Sequence, residues 1–140
     1  MRTVIAFAAL AALAIAPQAA SAAAAGMAMS AKLAPGAGIT SSGTGTGTFS
    51  LDTNSKVLTY NVTYSGLSGP ATAAHIHAAA EPGGNGPPVV PFANAASPIT
   101  GTVTLTDAQI ADMHAGKWYV NVHTAANRGG EIRGTIGMGN

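Results

Sequence analysis

The chain has no cysteine among its 140 residues. Disulfides, thiolate metal sites and a cysteine nucleophile are therefore excluded, and a soft-metal site built on sulfur would have to use methionine. Charge is scarce as well, at 8% of residues. No basic patch exists that would displace counterions from a polyanion, which argues against nucleic acid as a partner. Enzyme signatures are thin. No serine stands in a nucleophile-elbow context, and Glu81 and Glu131 are the only glutamates, one of them in a loop, so carboxylate-pair chemistry lacks a plausible pair. The sequence makes no strong case for catalysis.

What is present begins with a leader. Arg2 precedes an apolar run over residues 4–16, Pro17 breaks it, and Ala20-Ser21-Ala22 is a cleavage site of small residues. This layout predicts a signal peptide over residues 1–22, too short for a membrane span, and an exported domain over 23–140 in the periplasm or the medium. No later stretch is long and apolar enough to cross a bilayer, so no membrane span is expected after cleavage. About 118 residues suit one domain with a modest core. Loss of Arg2 leaves five basic residues against five acidic ones.

Period-2 alternation predicts seven short strands, over 27–33, 43–51, 57–65, 72–78, 99–105, 117–124 and 130–136. One short helix is expected after Thr106-Asp107-Ala108-Gln109, which has the form of a capping box, and Gly116 stops it. Residues 78–98 are rich in Gly and Pro and read as one long loop. With no βαβ rhythm, the expected fold is all-β, an antiparallel sandwich of the Greek-key or immunoglobulin-like kind. Its expected core includes Leu58, Tyr60, Val62, Ile76, Val103, Trp118, Val120, Val122 and Ile132.

The chemistry concentrates in three histidines. Alternate residues of a strand share a face, with a rise of roughly 3.3 Å per residue. His75 and His77 therefore lie on one face, with Ile76 on the other. In Tyr119-Val120-Asn121-Val122-His123 the valines take one face, and Tyr119, Asn121 and His123 take the other. If the valines and Ile76 face the core, all three imidazoles face outward. Imidazole ligands suit copper and zinc, and Cu(II) binds most strongly of the divalent series. Ligating histidines need acceptors that fix their tautomers, for which Asn121, Glu131 and Glu81 are candidates. Arg133 falls on the same outward face, where it either attracts an anion or neutralises Glu131. His114, near the helix end, reads as solvated and favoured by the helix dipole.

Four blocks occur in a recognisable order: His75-Ile76-His77, Gly86-Pro87-Pro88-Val89, Leu105-Thr106-Asp107-Ala108-Gln109, and Trp118-Tyr119-Val120-Asn121-Val122-His123-Thr124. With Asn127-Arg128-Gly129-Gly130-Glu131-Ile132-Arg133-Gly134 they resemble a CHRD (chordin) domain over nearly all of the mature chain. Ala34-Pro35-Gly36-Ala37 stands where that family often has a Glu-Val-Pro-Pro type turn, and Ala78 where it usually has glycine. The resemblance implies an exported module and an extracellular protein partner. The chain is also distantly similar to copper–zinc superoxide dismutase, with only His75, His77 and His123 carrying over. Three functions follow: a three-histidine copper or zinc site without clear turnover, a protein-binding module whose histidines anchor the 78–98 loop, or a dismutase-like copper redox enzyme.

Overall fold

The computed structural model describes residues 26–138; the expected signal peptide lies outside them. β1 (Met27–Pro35), β2 (Thr44–Asp52) and β3 (Val57–Ser65) form a meander. β2 joins β3 through a turn in which Asp52 Oδ1 accepts the amides of Asn54 and Ser55 at 2.8 and 3.2 Å. Short polar side chains mimic a backbone turn in this way. On all three strands one residue in two points inward, so Leu51, Leu58 and Val62 are fully buried while the threonines between them are exposed.

β4 (Ala71–Ala78), β5 (Pro88–Pro91), β6 (Ile99–Thr104), β7 (Trp118–Thr124), β8 (Ile132–Thr135) and β9 (Gly137–Met138) complete the strands. The order across the sheet is β5-β4-β7-β8-β1-β2-β3-β6, with β9 on β1. The strand pairs of the described residues are all antiparallel. β1 serves two halves. Met27 to Leu33 pair with β2, whereas Ala34 and Pro35 pair with β8. One strand thus carries the chain from one face of an almost closed, barrel-like sandwich to the other.

The all-β antiparallel class is the one expected, with nine strands rather than about seven. The main addition is β5, inside the stretch read as a single loop. Its prolines sit at both ends of an edge strand, where a missing N–H costs no ladder bond. Val90 between them is buried. The capping box forms as expected on α1 (Asp107–His114): Gln109 N donates to Thr106 Oγ1 at 3.2 Å, and Thr106 N donates to Gln109 Oε1 at 2.9 Å. His114 is exposed. Ile76, Val120, Val122, Ile132 and Trp118 are at most 1% exposed, each contributing about 1.5–3 kcal/mol by burial of apolar surface. Val103 is only half-buried, because β6 is the last strand of the sheet path.

β7 departs from simple alternation, since six of its seven residues are buried. Its inner face meets the core. Its outer face, which carries Tyr119, Asn121 and His123, is covered by loops, and the functional question concerns that side.

Candidate metal centre

β4 and β7 pair with His75 opposite Asn121 and His77 opposite Tyr119. A register shift between Ala71 and Ala73 sets Ala73 opposite His123. Parity does the rest: the three histidines emerge on the outer face, and the methyl of Ala73 leaves room for the ring of His123 to lean toward the other two. Ring centroids are 5.5 Å apart for His75–His77, 5.1 Å for His75–His123 and 5.9 Å for His77–His123. One nitrogen from each histidine lies within 4.8 Å of the others. His75 Nδ1 and His123 Nε2 are 3.2 Å apart. Two nitrogens bound at about 2.0–2.1 Å to one tetrahedral ion stand at nearly this separation.

The hydrogen bonds fix the tautomers. His77 Nδ1 lies 2.8 Å from the carbonyl oxygen of Gly86, and His123 Nδ1 lies 2.8 Å from that of Arg128. A carbonyl only accepts, so both Nδ1 atoms carry hydrogen and both Nε2 atoms present lone pairs. His123 Nε2 meets His75. His77 Nε2 is buried without any partner in a side chain only 8% exposed. Burial comes first in holding His77 below the usual imidazole pKa of 6.5, against the opposing pull of the Gly86 carbonyl; His123 and Arg133 lower it further. Burial and the two neighbouring histidines lower His75. Both rings therefore favour the neutral form that a metal requires.

The acceptors behind the histidines are backbone carbonyls rather than the side chains expected. Gly86 approaches β4 so closely that a Cβ there would fall 1.8 Å from the carbonyl oxygen of Ala78. Only glycine permits that approach. Tyr119, which strand parity places on the histidine face, stacks on His77 with centroids 5.0 Å apart at 16°. Its hydroxyl accepts the amide of Gly86 at 3.1 Å. Arg133 lies over the Tyr119 ring, with Cζ 3.9 Å from its centroid. It donates to Gly84 O at 2.7 Å and to Asn85 Oδ1. The Gly/Pro loop is thus tied down by His77, Tyr119 and Arg133 together.

Among the other candidates, Asn121 lies beside the histidines, but its Nδ2 donates to Gly129 O at 3.2 Å. Glu81 is exposed, and only its backbone carbonyl enters the loop, accepting Gly84 N at 3.1 Å. Glu131 was expected to face outward beside Arg133, and it does not. It is fully buried and accepts from Ser41 Oγ (2.6 Å), Ser68 N (2.8 Å), Ser68 Oγ (2.7 Å) and Thr124 Oγ1 (2.6 Å). It precedes β8, where strand parity does not govern its direction. Hydroxyl donors from Ser41, Thr124 and Ser68 hold its carboxyl at about 2, well below the ordinary 4.5.

Residues 16–136 match the CHRD domain family. The chain belongs to that family. No curated protein and no solved structure matched it. The match covers every strand of this CHRD domain except β9 and includes the three histidines, Gly86 and Arg128, whose carbonyls orient two of them. Signals for both carbonyl acceptors lay in the sequence, in Gly86-Pro87-Pro88 and Arg128-Gly129-Gly130, but a backbone acceptor carries no residue type by which to be recognised.

Proposed function

We propose that this CHRD domain is an exported metal-binding module in which His75, His77 and His123 hold one copper or zinc ion without turnover. The observation that carries the reading is the unpartnered, buried Nε2 of His77, on a ring that has a nitrogen within 4.8 Å of a nitrogen of each of the other two imidazoles. A buried polar atom without a hydrogen bond costs about 1–3 kcal/mol, and a metal ion removes that cost. His77 Nε2 and His123 Nε2 would be ligands as they stand. His75 would shift its hydrogen to Nε2 to offer Nδ1. Three neutral nitrogens leave one coordination position open, and the separations call for ring movements of about 1 Å to reach bonding distance.

A second reading is favoured by the bonds from His77 to Gly86 and from His123 to Arg128: the histidines anchor loops that face an extracellular protein partner. The two readings are compatible, because each anchor uses Nδ1 and leaves Nε2 free. Titration of purified protein with Cu(II) and Zn(II), beside a His77→Ala variant, separates them. Metal binding predicts one equivalent taken up by the wild type and at least about a hundredfold weaker uptake by the variant. Equal uptake by both proteins removes His77 from any site and leaves the anchoring reading. Export is tested by fractionating the native host and sequencing the mature N-terminus; a full-length chain retained in the cytoplasm overturns it.

A further inference from the structure

One of the three ligand atoms is closed to an ion arriving from solvent. His77 Nε2 is buried, whereas His75 and His123 are half-buried. Tyr119 stacks on the His77 ring, and the Gly86 carbonyl takes its other nitrogen. The rings of His75 and His123 stand 5.5 and 5.9 Å away, centroid to centroid. An ion that uses all three imidazoles has to wait until one of these neighbours moves.

The sheet beneath is a poor source of that motion, because Ile76, Val120 and Val122 are wholly buried in the core. Residues 80–87 are a good one. None of them is buried, and polar contacts hold the stretch in place. Gly86 O accepts from His77 Nδ1 at 2.8 Å, and Gly86 N donates to the Tyr119 hydroxyl at 3.1 Å. Gly84 O accepts an Arg133 N–H at 2.7 Å. Arg133 belongs to neither ion pair of the described residues, Lys56–Asp107 and Lys117–Asp112. Its guanidinium is engaged by neutral loop oxygens and the Tyr119 ring, and its charge meets no carboxylate. Segments with few buried apolar contacts open at a low free-energy cost. Both bonds of Gly86 end on the His77–Tyr119 stack, so loop closure and the aim of the His77 ring are one structural event.

We propose, on the metal reading above, that residues 80–87 are the door of the metal site, with Gly86 and Tyr119 positioning His77 through it. Opening breaks the bond from His77 Nδ1 to Gly86 O and frees the ring to turn its Nε2 toward the ion. Closing re-forms that bond, keeps hydrogen on Nδ1 and holds Nε2 against the metal. Closure and ligation use the same ring, so each favours the other by the same factor. Metal uptake is then limited by loop opening, and bound metal keeps the loop shut.

Rapid mixing with Cu(II), read by quenching of the single tryptophan, Trp118, tests the door. The uptake rate of the wild type should rise with Cu(II) and then level off at the opening rate. Tyr119→Phe keeps the stacked ring and loses only the hydroxyl that accepts Gly86 N. It should raise the plateau about three- to tenfold, the loss of one hydrogen bond from the closed state. Amide exchange on the wild type gives a second readout that needs no variant: Zn(II) should slow the Gly86 amide about tenfold or more. A plateau unchanged in Tyr119→Phe, or Gly86 exchange indifferent to Zn(II), would overturn the door. So would one equivalent of copper taken up at a rate that never levels off, and that result would leave the metal reading standing. A wild type that takes up no metal would remove both.

Discussion

Two polar clusters flank β7, and they are built in opposite ways. At Glu131 every strong acceptor site is used: two serine hydroxyls, one threonine hydroxyl and one amide converge on a single carboxylate. At the histidines the bonds run outward to loop carbonyls, and the nitrogens that face one another are left with one contact among three rings. Buried polar networks that are fully satisfied rigidify a fold, whereas unsatisfied buried groups call for another explanation. The Glu131 cluster ties the 41–43 and 66–68 segments to the end of β7, which is structural work. The histidine cluster is oriented but incomplete. That contrast gives the Glu131 cluster a structural role and supports the metal binding proposed for the histidines.

The comparison breaks first at Glu131. Glu131→Ala should lower Tm by about 10 °C or more, because it strands four donors at once; a melt within a few degrees of wild type would remove the distinction between the clusters. Stability should also follow its ionisation. A carboxyl held at about 2 when folded and 4.5 when free contributes stability present above 4.5 and lost as pH falls toward 2. Thermal melts across that range, compared with Glu131→Gln, check the window.

The histidine cluster should respond to metal instead. A hundredfold excess of free Cu(II) over its Kd should stabilise the wild type by about 2.7 kcal/mol and leave His77→Ala nearly unaffected. Acid should reverse this gain. His75 and His77 titrate below 6.5 in the fold, so without metal their contribution is whole above 6.5 and declines as the pH falls below it. With metal, the same protonation competes with binding, and the gain in Tm should vanish over that interval. A metal-induced shift that persists at pH 4 would point away from imidazole ligands. The smallest effect is expected for Thr124→Ala, which removes one of the Glu131 donors and should cost about 1–2 kcal/mol in denaturant unfolding.

Strand parity decided more than any other feature of the sequence. It put Ile76, Val120 and Val122 in the core and turned His75, His77 and His123 away from it, because side-chain direction in a strand depends only on the residue's place in a period of two. The helix cap at Thr106 and Gln109 was equally local, and both held. The β5 strand was not legible, since its prolines are tolerated only by its position at a sheet edge. Glu131 departs from the expected parity for a related reason: it lies just before β8, where the alternation of that strand has not begun, and two of its three partner residues are 63 and 90 positions away.

The sequence by itself determined which side chains share a face, and therefore that three imidazoles were available on one side of the sheet. Tertiary structure alone decided how near they come, which nitrogen of each is free, and which charges remain uncompensated. Those quantities depend on the β4–β7 register and on loops packed across it, contacts between residues dozens of positions apart that no local pattern encodes.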